Sequence, residues 1–315
     1  MKVSIIIPIF NEADNLPVLN KRLYEVLEKE QIDYEVIYIN DGSIDASLME
    51  LKKLWDNNFS LKIITLAKNY GQTLAISAGV DNSNGDYIIT MDGDLQNDPA
   101  DIPAILTKLK DGYDVVSGWR IRRKDHFLQK KLPSIIANRI IAIITKVKLH
   151  DLGCTLKGYK RAILEDIEFY GEIHRFLPLY AAMYGAKIAE IPVRHNKRKH
   201  GKSKYGLLRF VKGLLDFITI MFMWKFMTKP IYVFGGIGIV SVGASAIIGS
   251  FIIIRRILWG GEWVSPLLFL FVLFCTMGMQ FILMGILAEF IMRLYYGMRA
   301  QRRYRIKKIL DKKLR

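Results

Sequence analysis

From Ile231 to Ile254 the chain runs for 24 residues without a charged side chain. A second such run, Pro266–Ala288, follows after a break that carries Arg255, Arg256, Trp259, Glu262 and Trp263. An apolar helix of about 20 residues crosses the hydrocarbon core of a bilayer, and tryptophans concentrate at its interface. The spacing therefore predicts a hairpin of two transmembrane helices, about 231–254 and 266–288, within a segment 231–298. Two buried helices of a soluble core are the alternative, but a helix apolar on every face needs protein or lipid all round it. Ahead of the hairpin, Leu207–Met227 is apolar with Arg209, Lys212, Asp216 and Lys225 interspersed. This pattern suits amphipathic helices lying in the interface over 206–230, broken by Lys229-Pro230. Gly235, Gly236, Gly238 and Gly243 allow close helix packing, including packing between copies of the chain.

Residues 1–205 have a different texture. Val3–Ile7, Tyr34–Asn40, Leu61–Ala67, Tyr87–Asp92 and Asp114–Gly118 read as strands, the first ended by Pro8. Helical patterns between them run to about Glu30, Asn57 and Val80, with another opening near Pro99. Asn11 or Asp14 is positioned to cap the first helix and Asp45 the second. Alternating strands and helices predict an α/β fold, a mostly parallel sheet with helices on both faces. Polar residues recur where the strands end: Glu12, Asp41, Gln72, then Asp92 and Asp94. Ligands of open α/β sheets bind outside the carboxyl ends of the strands, so these ends point to one site along a single edge.

The densest of them is Gly85–Pro99, where an apolar run leads straight into Asp92-Gly93-Asp94-Leu95-Gln96-Asn97-Asp98. A solvated turn after a strand has a similar composition. As a site, oxygen ligands at this spacing suit a hard cation, Mg²⁺ or Mn²⁺, and through it a diphosphate. No G-x-G-x-x-G follows strand one, and no G-x-x-x-x-G-K-[ST] occurs, which disfavours dinucleotide enzymes and P-loop NTPases. The net charge of +16 admits nucleic acid, anionic lipid or phosphorylated partners. No nucleic-acid-binding module accompanies it, so nucleic acid is not expected as a partner. Cys154 and Cys275 form neither a disulfide framework nor zinc-ligand spacing. The opening MKVSIIIPIF is too short an apolar run for a signal peptide, and the N-terminal domain is expected in the cytoplasm.

Val-Ser-Ile-Ile-Ile-Pro-Ile-Phe-Asn-Glu at 3–12, Asn-Asp-Gly-Ser at 40–43 and Asp-Gly-Asp-Leu-Gln at 92–96 resemble the family 2 glycosyltransferases of GT-A fold. Within that family the likeness is to the polyprenyl-phosphate glycosyltransferases, of the bactoprenol glucosyltransferase and dolichyl-phosphate mannose synthase types. The resemblance implies that Pro8, Phe10, Glu12, Asp41, Gln72, Asp92 and Gly93 cradle a sugar nucleotide. It implies that Asp92, Asp94 and Gln96 hold the metal, with Asp94 central to catalysis. Arg198-x-x-Gly201-x-Ser203-Lys204 resembles the family's acceptor-phosphate motif, and by the same likeness Arg120, Lys130 and Ser134 reach that phosphate. His150-Asp151-Leu152-Gly153-Cys154 resembles a segment near the reacting centre, with Cys154 where some bactoprenol enzymes carry Asp. Asp151 and Glu172 are the candidate bases, although Asp151 also suits a turn cap. A phosphate acceptor, largely ionised near neutral pH, can react without a base.

Two basic clusters, Arg120–Lys131 and Arg194–Lys204, flank the end of the soluble part, where anionic head groups or a lipid phosphate would meet them. Glu289 and Arg293 resemble the family's closing G-E-x-x-x-R. The segment 299–315 is a basic tail with nine Lys/Arg and one Asp. Two spans and the positive-inside rule place both the catalytic domain and this tail on the cytoplasmic side of a cell membrane. The implied reaction is inverting transfer of a hexose from a nucleotide sugar, UDP-glucose or UDP-N-acetylglucosamine favoured, to polyprenyl phosphate. The alternatives are a GDP-mannose enzyme of the dolichyl type and a non-catalytic anchor or flippase accessory with a retired transferase domain. A processive synthase is disfavoured, because no tryptophan sits in a Q-x-x-R-W context.

Overall fold

The computed structural model describes residues 2–56, 60–121, 142, 145, 147–165, 167, 169, 171, 173–196, 229–260, 265–297 and 306–310. Glu172, Lys130, Ser134, Arg198, Ser203 and Lys204 lie outside the described residues, as do the interfacial segment up to 228 and most of both basic clusters. The chain divides into two compact units, Met1–Gly213 with Arg302–Arg315, and Leu214–Gln301.

The first unit is built on a sheet of eight strands: β1 (Lys2–Ile9), β2 (Asp33–Asn40), β3 (Leu61–Leu66), β4 (Tyr87–Thr90), β5 (Val115–Trp119), β6 (Lys157–Lys160), β7 (Ile188–Pro192) and β8 (Ile306–Leu310). Their order is β7-β5-β6-β4-β1-β2-β3-β8. β1 pairs in parallel with β2 and β4, β2 with β3, and β5 with β7. β6 is antiparallel to both of its neighbours, and β8 runs antiparallel along β3. The sheet is thus mixed, mostly parallel, and its antiparallel members are strands that the apolar runs do not reveal. β6, Lys-Gly-Tyr-Lys, has no apolar run at all, yet three of its four residues are buried.

The helices are α1 (Leu16–Lys29), α2 (Ser47–Asp56), α3 (Gln72–Asp81), α4 (Ile102–Lys110), α5 (Arg161–Glu165) and α6 (Leu177–Met183). α1 turns Leu16, Leu19, Leu23 and Leu27 into the core against Val3, Ile5 and Ile7 of β1. The cap expected from Asn11 or Asp14 is not made. Asn15 stands at the N-cap without a side-chain cap bond, its amide turned to Glu12 instead. Asp45 does serve α2, its Oδ1 accepting from the Ser47 N–H at 3.0 Å.

Pro8 does not end β1, which continues to Ile9. The β1–β4 ladder reaches only Ile6↔Thr90, so β4 has already turned away where the Pro8 N–H would be needed. Gly93 then packs on β1, where an added Cβ would lie 2.4 Å from Ile9 Cδ1. The central strands part here, and the parting opens the edge on which the site is built.

The second unit holds α7 (Ile231–Trp259) and α8 (Pro266–Gly297), each with a mean hydropathy of 2.4 over its most apolar window. At ~1.5 Å per residue both exceed the ~30 Å hydrocarbon core. Most of their apolar surface is exposed, including Val240, Ile247, Phe269 and Leu287, as expected of helices sheathed by lipid. They touch each other through glycine: a Cβ on Gly238 would lie 2.8 Å from the Gly278 carbonyl oxygen, and one on Gly278 would lie 2.9 Å from that of Gly238. Ser245 Oγ donates to the Phe271 carbonyl at 3.0 Å. Gly238 thus serves packing within the hairpin, whereas Gly236 and Gly243 face open space.

Candidate active site

The carboxyl ends of β1 to β5 and the start of β6 share one edge. The loops there are held by their own polar groups. Asp41, 3% exposed at the end of β2, accepts from the Tyr70 N–H at 2.7 Å and the Gly71 N–H at 2.9 Å. Burial raises its pKa despite these bonds. It ties the end of β2 to the start of α3. Glu12 accepts from the Asn15 amide, and its backbone N–H donates to Ser47 Oγ at 2.9 Å, joining the β1 loop to α2. Pro8, near the end of β1, and Phe10, just past it, are half-buried on the same edge.

Asp92 and Asp94 stand just past β4. Gln72 Nε2, at the first turn of α3, donates to Asp92 Oδ1 at 2.6 Å, and the Thr155 hydroxyl also bonds this carboxylate. Burial, reinforced by the neighbouring Asp94 charge, pushes the Asp92 pKa up to about 6, with Thr155, Arg120 and Gln72 opposing. Asp94, 7% exposed, accepts from the Gln96 N–H at 3.1 Å across Leu95, whose φ of 63° makes the tight turn. Among the described residues no group of three or more His, Cys, Asp or Glu side chains converges. Two neighbouring carboxylates, the charge of Asp94 adding to the burial that raises the proton affinity of Asp92, are a donor set that a divalent cation fits.

The other acids of this stretch have structural work. Asp98 accepts from the Ala100 N–H at the N-cap of a short 3-10 turn and lies 3.8 Å from Arg194 Nη1. Asp101 accepts from the Arg194 N–H at 2.7 Å. Asn196 N–H donates to the Gln96 carbonyl at 2.9 Å, and Asn97 bridges to His195. The chain entering the second basic cluster is therefore threaded along the Gln96–Asp101 stretch.

On the other flank, Arg120 follows β5. Its Nε and Nη2 donate to Asp151 at 2.6 and 2.8 Å. A Cβ on Gly153 would lie 3.2 Å from Arg120 Nη2, and Thr155, two residues further on, bonds Asp92, so the cation and the carboxylates flank one short segment. Cys154 is 1% exposed and its thiol is pushed up to about 11 by burial; it packs against Gly118 and is a core residue. Thr155, Asn97, Lys157, His174 and Glu190 join this site and were not singled out by their place in the sequence. Asn97 Nδ2 donates to Thr155 Oγ1 at 2.7 Å, and Thr73 Oγ1 bonds His174 Nδ1 at 2.7 Å. Such pairs are 58 and 101 residues apart in the chain, beyond any local spacing rule.

Residues 4–168 match the family described as glycosyl transferase family 2. The chain is 37% identical over 316 residues to a dodecaprenyl-phosphate galacturonate synthase of Rhizobium johnstonii, covering 99% of this chain and 94% of that one. It is 35% identical over 314 residues to an undecaprenyl-phosphate 4-deoxy-4-formamido-L-arabinose transferase of an Enterobacter species, with the same coverage of 99% and 94%. Among solved structures, mannosyl-3-phosphoglycerate synthase from Rubrobacter xylanophilus matches with a TM-score of 0.55 at 13% identity, over 70% of this chain and 74% of that one. Glucosyl-3-phosphoglycerate synthase from Mycobacterium tuberculosis, in complex with Mn²⁺, uridine diphosphate and phosphoglyceric acid, matches at 0.54 and 13%, over 70% and 77%. The structural likenesses establish the GT-A fold. The chain belongs to glycosyl transferase family 2, among its polyprenyl-phosphate sugar transferases.

Proposed function

We propose that the protein transfers one sugar from a uridine diphosphate sugar to polyprenyl phosphate, with inversion, at the cytoplasmic face of a membrane. The observation that carries this reading is the pairing of Asp92 and Asp94 on one flank of the edge with Arg120 on the other. That pairing suits a cation-held diphosphate beside an anionic acceptor. Asp94, Asp92 and Gln96 would hold Mg²⁺ or Mn²⁺, which neutralises the diphosphate and stabilises it as a leaving group. Gln72 and Thr155 fix the Asp92 carboxylate. Glu12, Asp41 and Gly93 shape the loops against which the nucleotide lies. Arg120 draws the acceptor phosphate to the face opposite the leaving group. An ionised phosphate oxygen attacks the anomeric carbon, so positioning and charge neutralisation carry the rate enhancement. Inversion of an α-linked donor gives a β-linked lipid sugar.

The relatives' names point to galacturonate and to a formamido-arabinose, two different sugars. UDP-glucose and UDP-N-acetylglucosamine therefore stand as two donors in a panel with UDP-galacturonate, UDP-4-deoxy-4-formamido-L-arabinose and GDP-mannose. The test is transfer of radiolabel to undecaprenyl phosphate on membranes carrying the protein, with Mn²⁺ or Mg²⁺ and an Asp94→Ala control. Label entering the lipid phase from one donor, abolished by chelator and in the control, is the expected result. Metal-dependent UDP binding without transfer from any donor would overturn the acceptor assignment. Absence of both would favour the non-catalytic alternative.

A further inference from the structure

We propose that Asp151 is a positioning carboxylate, not a proton acceptor, and that it aims the Arg120 guanidinium at the acceptor phosphate. The loop carrying it is latched on both sides by Glu190 and Lys157. This inference rests on the reading of Arg120 as the acceptor-side cation.

The geometry begins at Arg120. Its Nε donates to Asp151 Oδ2 at 2.6 Å, its Nη2 to Oδ1 at 2.8 Å, and its backbone N–H lies 3.3 Å from Oδ2. A two-point fork of this kind fixes the plane of the guanidinium as well as its place. The Asp151 side chain is 3% exposed, and each of its two oxygens accepts from the same arginine. A general base must reach the proton it removes with a lone pair directed there. Here both carboxylate oxygens are directed at a cation.

The loop is held from β7 on its N-terminal side. Glu190 accepts from the backbone N–H of His150 at 2.9 Å, the backbone N–H of Asp151 at 3.0 Å and His150 Nδ1 at 2.7 Å. β7 is the strand paired with β5, in the register Ser117↔Glu190, so Glu190 sits beside the strand that delivers Arg120. The His150 ring stacks on Trp119 with centroids 4.3 Å apart and planes at 17°, closing the same corner. On the C-terminal side, Lys157 opens β6 at 1% exposure. Its Nζ donates to the carbonyls of Leu152 at 3.1 Å, Arg175 at 3.0 Å and His174 at 3.4 Å. An ammonium has three donors, and this one finds three carbonyls. It ties the Asp151–Leu152 turn to the turn at His174, which Thr73 bonds in turn. Thr73 follows Gln72, the residue that holds Asp92. A hydrogen-bonded path therefore runs from the donor-side carboxylates to the arginine on the acceptor side, with Lys157 at its buried centre.

The test is a double-mutant cycle on the full-length protein in detergent or nanodiscs, with acceptor and donor titrated separately. Arg120→Ala, Asp151→Asn and the double variant are compared with the parent, and Glu190→Gln serves as a variant that touches neither arginine nor substrate. Asp151→Asn is expected to raise the acceptor KM roughly tenfold to a hundredfold, the loss of a charge-assisted fork. The donor KM and the shape of the pH–rate profile are expected to hold. Glu190→Gln is expected to move the acceptor KM in the same direction by less. In the Arg120→Ala background, Asp151→Asn is expected to cost nothing further. UDP binding with Mn²⁺ reports that each variant is folded. A fall in kcat with unchanged acceptor KM and a displaced acidic limb would make Asp151 the base and overturn the proposal. Additive effects in the cycle would overturn it too. If Arg120→Ala itself leaves the acceptor KM unchanged, the acceptor-side reading of Arg120 fails, and the proposal with it; that outcome is distinct from additivity.

Discussion

Gly42 shows how tightly the loops at the carboxyl edge of the sheet are drawn together. Its φ is +68°, and a Cβ there would lie 2.5 Å from both the Asn69 backbone N and the Lys68 carbonyl carbon. Both obstacles are backbone, so no side chain can turn aside to make room. The neighbouring Asp41 binds the N–H groups of Tyr70 and Gly71, so loops 40–43 and 68–71 are one construction. Gly42→Ala is expected to destabilise the protein by about 1–3 kcal/mol, from overpacking together with an unfavourable φ. It should also raise the donor KM while leaving the acceptor KM in place. A melting curve and a pair of substrate titrations check this. An unchanged donor KM would separate the loop from the nucleotide. The Asn-Asp-Gly-Ser motif was legible as a strand end, but not the reason for its glycine, which lies 26 and 27 residues further along the chain in Lys68 and Asn69.

The first five strands were legible because each is a short apolar run between turns, and their boundaries shift by one or two residues only. β6, β7 and β8 were not. β6 carries two lysines and a glycine and is buried by the strands on either side of it, a consequence of sheet order rather than composition. β7 is a half-exposed edge, and β8, Ile-Lys-Lys-Ile-Leu, lies in a strongly basic stretch and does not alternate. The site divides the same way. Asp92 and Asp94 announce themselves by density, whereas the use of Asp151 is set by Arg120 and Glu190, 31 and 39 residues away. At the opposite end of the sheet Glu35 plays a comparable part. It accepts from Ser4 Oγ at 2.6 Å, Lys2 Nζ at 3.0 Å and the Asn84 N–H, and so joins β2, β1 and the turn before β4. Burial alone would raise its pKa, but the bonds from Ser4, Asn84 and Lys2 hold it below the usual carboxylate range. A carboxyl whose folded pKa is depressed contributes stability above its unfolded pKa and loses it as pH falls through the folded value. Glu35→Gln is therefore expected to cost about 2 kcal/mol at neutral pH, with the gap to the parent closing below about pH 4. Melting temperatures across that range check it; a gap independent of pH would mean that the carboxylate's charge is not what holds the three segments.

At the scale of the molecule, the constraint lies in where the chain returns. It leaves the catalytic unit after Gly213, passes through α7 and α8, and re-enters at Arg302 to lay β8 along β3. A strand hydrogen-bonded to β3 is on the same side of a membrane as β3. Only an even number of crossings between them is compatible with that pairing, and α7 and α8 supply two. The charge distribution argues for the same arrangement independently: nine Lys/Arg and one Asp from Arg299 onward favour the cytoplasmic side. The proposed topology thus puts the turn between α7 and α8 outside and both ends of the catalytic unit inside. Single cysteines at Ser265, in that turn, and at Lys313, beyond β8, test it in a Cys275→Ser background. The remaining Cys154 is 1% exposed and will not compete for reagent. On intact cells a membrane-impermeant maleimide is expected to label Ser265→Cys at once and Lys313→Cys only after permeabilisation. The reverse pattern would put catalysis on the outer face, where a cytoplasmic sugar nucleotide cannot reach it. Labelling of both from outside would mean that α8 does not cross between the turn and the tail, and would overturn the two-span hairpin.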